Sequence, residues 1–207
     1  YFLQATDLVA EIFSIFFYER NYTMKKILIS AVACAAIAQA GMFVGFDGGY
    51  AMNTSAGDGG TKYGIYTSEK TRFDANAWNV ALNFGAEGFV NGYFGARAFI
   101  EALYSGGIDS PLSHFDLTGN ADILVNFVSS GAVGVFAGFG VGYSYWWGTG
   151  FGGGNAPLYA RTGLTFGIGK NSRIDATLKL PIIGWYAHGD DKIGKAVAQP
   201  FSVQLGY

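Results

Sequence analysis

A chain of 207 residues that is 50% hydrophobic, 17% aromatic and only 14% charged, with a net charge of −2, carries no basic footprint for nucleic acid. Mean hydropathy is positive at +0.24, which points to a membrane, yet nowhere do about eighteen clean apolar residues follow one another as a spanning helix requires. Glycine is abundant at 32 and proline sparse at 4, and the one cysteine, Cys34, excludes a disulfide within the chain.

From Met24 the chain reads M-K-K-I-L-I-S-A-V-A-C-A-A-I-A-Q-A-G. Lys25 and Lys26 form a basic start, Ile27 to Ile37 an apolar stretch too short to span, and Ala38-Gln39-Ala40 an A-x-A cleavage site before Gly41. Residues 24–40 are therefore expected to be a secretory signal peptide, and cleavage would remove Cys34. A lipoprotein signal using Cys34 fits less well, because the segment after it stays apolar. With Met24 as the start, residues 1–23 become translated upstream sequence; the alternative is a short apolar helix around Leu8–Tyr18.

All glycines follow residue 40, and beyond it apolar and polar residues alternate in segments of about ten, as strands with two different faces require. Eight segments are expected as strands: 42–51, 76–85, 92–104, 115–127, 133–147, 157–168, 173–185 and 198–207. Apolar residues such as Val44, Leu82, Ile100, Leu117, Val141, Leu164 and Leu178 share one face. The other face carries Arg97, Glu101, Asp116, Asp122, Arg161, Asp175 and Lys179, and in the fifth segment Gly134, Gly138, Gly140 and Gly142. Pro181 interrupts the seventh segment and predicts a bulge or kink. Charges on the inside and apolar residues outside are the reverse of a soluble lipocalin-like barrel. They predict a single eight-stranded antiparallel transmembrane β-barrel over 41–207, of the type found in bacterial outer membranes.

The connections alternate in length. Segments 52–75, 105–114, 148–156 and 185–197 are longer, whereas 86–91, 128–132 and 169–172 are short. Short periplasmic turns and longer external loops are the habit of such barrels, and an even strand number leaves both ends in the periplasm. Trp78, Tyr104, Tyr143, Tyr145, Trp147 and Trp185 then fall at the external interface, and Phe84, Phe94, Phe127 and Tyr207 at the periplasmic one.

In a barrel of eight strands side chains fill the interior. The seven inward charges, mixed in sign, predict a hydrogen-bonded, ion-paired lumen. A narrow conducting path is the alternative, with the glycines of the fifth strand leaving space beside Arg161 and Asp122; the other reading of these glycines is close packing of bulky neighbours such as Phe136 and Trp146 against bare backbone. Catalysis and metal binding find little support. His114 beside Ser113 and Asp116, and His188 before Asp190 and Asp191, are read as loop residues without a triad or spaced ligand set. The glycine-rich run Gly148–Gly154 lacks the features of a phosphate loop and is expected to be a flexible loop. No cofactor and no metal is expected.

The last segment alternates Phe201, Val203, Leu205 and Tyr207 with small or polar residues and closes on an aromatic. It resembles the terminal signal by which the barrel-assembly machinery of Gram-negative outer membranes receives its clients. The stretch Gly119-Asn120-Ala121-Asp122-Ile123-Leu124-Val125-Asn126-Phe127, then Gly134-Val135-Phe136-Ala137-Gly138 and the run Gly169 to Pro181 resemble the carboxy-terminal part of the Helicobacter-type outer membrane protein family of epsilonproteobacteria. The resemblance covers a little under half of the chain. It implies an outer membrane barrel in a family that includes porins and host-binding adhesins, although the large amino-terminal domain of the adhesins is missing here. The expected function is therefore non-enzymatic: a structural or surface-interaction role through external loops. A narrow porin-like channel is the first alternative and a lipid-modifying enzyme the second. Lys62, Tyr63, Tyr66 and Arg72 of the longest loop are the candidate contacts for a surface ligand. Outer membrane lipid and lipopolysaccharide, and the secretion and barrel-assembly machinery, are the other expected partners.

Overall fold

The structure, a computed structural model, describes residues 40–56, 71–109, 113–148, 151–169, 172–189 and 197–206. Within them the alternation forms eight strands: β1 (Gly41–Ala56), β2 (Thr71–Phe89), β3 (Phe94–Gly107), β4 (Ser113–Asn126), β5 (Val133–Gly148), β6 (Phe151–Ile168), β7 (Ser172–Gly189) and β8 (Val197–Gly206). Each strand pairs antiparallel with the next, and β8 returns to β1 from Asp47↔Gly206 to Ala56↔Val197, closing the barrel in sequence order. Segments 1–23 and 24–39 lie outside the described residues.

The faces follow the alternation. Val44, Leu82, Ile100, Leu117, Val141 and Leu205 are half or more exposed on the outer surface. Asn79, Asn83, Glu101, Asp122, Thr165 and Gln204 are buried inside. Polar inside and apolar outside is the polarity of a barrel that stands in lipid, where closure leaves no strand edge unpaired. The chain is an eight-stranded transmembrane β-barrel of the outer-membrane type.

One end is closed by the short turns. Each contains a glycine with positive φ: Gly92 at 76°, Gly131 at 71° and Gly169 at 71°. A side chain at these positions would strain the backbone, which is why the turns can be this tight. The Asn91 Oδ1 accepts from the backbone N–H groups of Tyr93 (3.1 Å) and Phe94 (3.0 Å), closing the first turn. Asn126 Nδ2 donates to the Gly92 carbonyl at 2.7 Å, so adjacent turns are tied together.

At the other end the strands run further than their sequence pattern predicts. β1 continues to Ala56 and β2 begins at Thr71, leaving 57–70 between them. Within the run Gly148–Gly154 the described residues are strand: Gly152, Gly153 and Gly154 of β6 pair with Trp147, Trp146 and Tyr145 of β5. Glycines cannot show alternation, so the pattern is silent there. The ladder persists because large neighbours cover the bare backbone; the Tyr143 hydroxyl stands 2.0 Å from where a Gly154 Cβ would be. The irregularity near Pro181 is a bulge: Leu158 pairs with Ile183 and Tyr159 with Pro181, so Ile182 has no partner.

An aromatic chain marks the outer surface at the loop end. Trp78 lies 5.4 Å from Tyr104, Tyr104 6.0 Å from Trp147, and Trp147 6.0 Å from Tyr145. Such a band belongs at a lipid–water interface, where one end of the ring is apolar and the other wet. Above it β1 and β2 continue for roughly six residues, which at ~3.3 Å per residue and ~40° tilt lifts the rim ~15 Å clear of the band.

Candidate functional site: the lumen of the barrel

Because the barrel is narrow, inward side chains from opposite strands meet across it. Three layers follow one another from the turn end upward. The first is a vestibule of about 560 Å³ open to solvent, lined among others by Asp47, Asn83, Glu87, Arg173 and Asp175. Near its mouth the Arg173 Nε lies 3.2 Å from Glu87 Oε1, and its guanidinium covers the Phe89 ring at 4.6 Å.

The second layer closes the vestibule. Arg97 donates to Asp122 through Nη2 (2.8 Å) and Nε (3.1 Å) and to Asp175 through Nη1. Its guanidinium is held between the rings of Phe99 (5.2 Å) and Phe136 (4.8 Å). Arg161 takes Phe99 at 4.7 Å and donates through Nη1 to Glu101 (3.2 Å) and Asn120 (3.3 Å). Lys179 donates to the other oxygen of Glu101, which is fully buried. The glycines of β5 leave no passage beside this layer. The Asp122 and Asn120 side chains occupy the space, with oxygens 2.3 Å and 2.2 Å from where Cβ atoms of Gly138 and Gly140 would be.

The third layer fills the loop end. Tyr159 donates to Asp116 Oδ2 at 3.4 Å, and His114 Nε2 lies 3.8 Å from the same oxygen. The imidazole stacks on Trp146 at 4.0 Å. The space left among Leu103, His114, Asp116, Tyr159 and Lys179 has no room for a water. His114 is thus not a loop residue; it is the second residue of β4 and points inward, 0% exposed, with neither ring nitrogen hydrogen-bonded.

Of the seven inward charges read from the sequence, Arg97, Glu101, Asp122, Arg161, Asp175 and Lys179 form one connected set, while Asp116 stands apart with His114 and Tyr159. Glu87 and Arg173 extend this set and were not among the residues singled out, since Glu87 falls in a segment read as a turn. Carrying the period of two from Asn83 to Glu87, and from Asp175 back to Arg173, would have found both. On the last strand Val203 and Leu205 point outward, 51% and 62% exposed. The Phe201 side chain, Tyr207, Lys62, Tyr63, Tyr66, Asp190 and Asp191 lie outside the described residues, as do the side chains of Arg72 and His188, whose backbones belong to β2 and β7. Among the described residues, no three His, Cys, Asp or Glu side chains cluster as metal ligands would.

No protein-family model and no curated protein matches the sequence. Among solved structures the chain is similar to Neisserial surface protein A, at 10% identity and a TM-score of 0.46 over 80% of this chain and 97% of that one. It is also similar to Ail, the attachment invasion locus protein of Yersinia pestis, at 16% identity and a TM-score of 0.39 over 81% of this chain and 97% of that one. Ail in complex with the heparin analogue sucrose octasulfate gives a TM-score of 0.35. The assignment of the fold rests on this chain's own strand register and polarity.

Proposed function

We propose that this protein is an outer membrane barrel whose role is played at its external surface, as a structural or ligand-contacting element, and not through its lumen. The observation that carries the reading is the layer of Arg161, Glu101, Lys179 and Asn120 across the barrel, with Arg97 held between aromatic rings below it and Tyr159, His114 and Trp146 packed above. A wall of paired charges and rings leaves a solute nothing to follow. The non-enzymatic reading is supported by the enclosure of His114, which no substrate reaches from lipid or solvent. What remains for interaction is the rim above the aromatic band and the segments it carries. Lys62, Tyr63, Tyr66 and Arg72 remain the contacts to test, with lipopolysaccharide and a surface ligand as the partners.

The same proposal includes the turn end in the periplasm, removal of residues 24–40 during export, and membership of the Helicobacter-type outer membrane proteins. Amino-terminal sequencing of protein taken from the membrane tests the second of these and should begin at Gly41. The deciding experiment is single-channel recording of the membrane-extracted protein in planar bilayers, beside an Arg161→Ala variant. Silent bilayers with folded wild type support the reading. Reproducible steps that change in the variant would transfer it to the narrow channel.

A further inference from the structure

The interior is short of positive charge. Among the described residues, the carboxylates Asp47, Glu87, Glu101, Asp116, Asp122 and Asp175 face inward against only Arg97, Arg161, Arg173 and Lys179. Four of the carboxylates have a cationic partner within 4.0 Å; Asp47 and Asp116 are the two without Lys or Arg there. A buried carboxylate left without a counter-charge is costly, so each surplus must be met by something. The two differ in what can reach them. Asp116 is sealed in a space with no room for a water, and the imidazole of His114 stands beside it. Asp47 lines the vestibule, which is open to solvent at the turn end.

The floor around Asp47 is built for a positive guest. Asp47 accepts a hydrogen bond from Asn83 Nδ2 at 2.7 Å, which fixes the carboxylate and the amide side by side. Asn83 is only 6% exposed and lines the same vestibule, yet its carbonyl oxygen Oδ1 has no hydrogen-bond partner. A carboxylate that lines a solvent-open vestibule, with an idle carbonyl buried on the amide beside it, offers the oxygen donors that a hard cation or an ammonium group takes. We propose that the vestibule floor is a binding site for a small cation held by oxygen atoms, with the Asp47 carboxylate supplying charge and Asn83 Oδ1 a further ligand. The cation enters from the turn end and goes no further, because Arg161 and Lys179 stand above it.

The test uses the protein extracted from membranes into detergent. NaCl, CaCl2 and putrescine dihydrochloride are each titrated against choline chloride at constant ionic strength. The reading is the temperature at which the compact, heat-modifiable band is lost on a gel. At least one of the three should raise that temperature saturably over choline. In Asp47→Asn the apparent affinity should fall at least about tenfold, as loss of a buried charge partner requires. Asp116→Asn should bind like wild type, and Asn83→Asp, which adds a second carboxylate, should bind more tightly. A response to sodium or calcium identifies an inorganic ion as the ligand; a response to putrescine alone identifies an ammonium. Calcium acting only on bound lipopolysaccharide would leave the shift intact in Asp47→Asn, and that result overturns the proposal. So does a wild-type band indifferent to all three. The band itself shows whether each variant has folded.

Discussion

Replacing Glu101 by alanine removes the carboxylate that Arg161 and Lys179 share. Arg161 keeps Asp122 Oδ1 at 3.5 Å from its Nε and the Asn120 amide at 3.3 Å, so it is not abandoned. Lys179 is: Glu101 is its one acidic partner among the described residues, and its ammonium, 2% exposed, is left beside the Tyr159 ring. Removing one partner of a buried ion pair costs ~3–5 kcal/mol, because a charge is stranded out of water. That is a change of roughly two to three and a half decades in the folding equilibrium. The double variant Glu101→Leu with Lys179→Met removes both charges at similar volume and should recover most of the loss, since apolar replacements of buried pairs are often neutral. The assay is equilibrium unfolding in urea from lipid vesicles, followed by the heat-modifiable band. A Glu101→Ala barrel within ~1 kcal/mol of wild type would refute the claim that paired charges hold this interior, as would a double variant no better than the single one.

Other perturbations address other parts of the fold. In Gly138→Ala the new methyl would meet the Asp122 carboxylate and the Ala121 carbonyl oxygen, 2.3 Å and 2.1 Å from the ideal Cβ, so a loss of ~1–3 kcal/mol is expected in the same unfolding assay. At Gly131, where φ is 71°, alanine should cost ~1–2 kcal/mol and leave single-channel behaviour unchanged. Single-tryptophan variants should divide by quenching with brominated lipids: Trp78 and Trp147, on the outer surface, are quenched, and Trp146, 1% exposed inside the barrel, is not. Quenching of Trp146 to the same extent as Trp147 would mean that the register of β5 is wrong.

Faces were legible in the sequence and partners were not. Alternation alone separates Val44, Leu82 and Ile100 from Asn83, Arg97 and Glu101, because a strand turns each successive side chain to the opposite face. It cannot tell that Arg97 reaches across the barrel to Asp175, or Arg161 to Glu101, since both pairs join strands far apart in sequence and depend on the stagger of the closed sheet. Alternation does place aromatics on the inner face, but it does not show what they hold there. Phe99, Phe136 and Tyr159 are inward and carry the guanidinium and ammonium groups on their rings. The rule of apolar outside and polar inside reads these positions as exceptions, although flat rings are what lets the cations be stacked in so small a space. The glycine run of β6 fails for the opposite reason, having no side chains from which a face could be read.

The distribution of polarity along the barrel axis bears on where evolution can alter this molecule. In the two closed layers each side chain is held by several others, so a change at Arg97, Phe99 or Glu101 disturbs the partners of all three. Substitutions there act on stability first. Above the aromatic band the constraint is different, because there the strands are held by backbone pairing. A ladder that satisfies its own backbone can carry almost any sequence on its outer face. Extending β1 and β2 past Tyr50 and Trp78 therefore converts part of what the sequence reads as loop into paired strand, a collar on which residues follow in the order of the ladder. Binding surfaces on a rigid collar lose less conformational entropy on engaging a partner than surfaces on long loops. Shortening β1 and β2 by two residue pairs at Ser55, Ala56, Thr71 and Arg72, with the intervening segment retained, should thus leave the barrel's unfolding free energy in urea within ~0.5 kcal/mol while weakening attachment to whatever surface the wild-type protein binds. An equal loss in both readouts would show that the collar serves the barrel and not its partner.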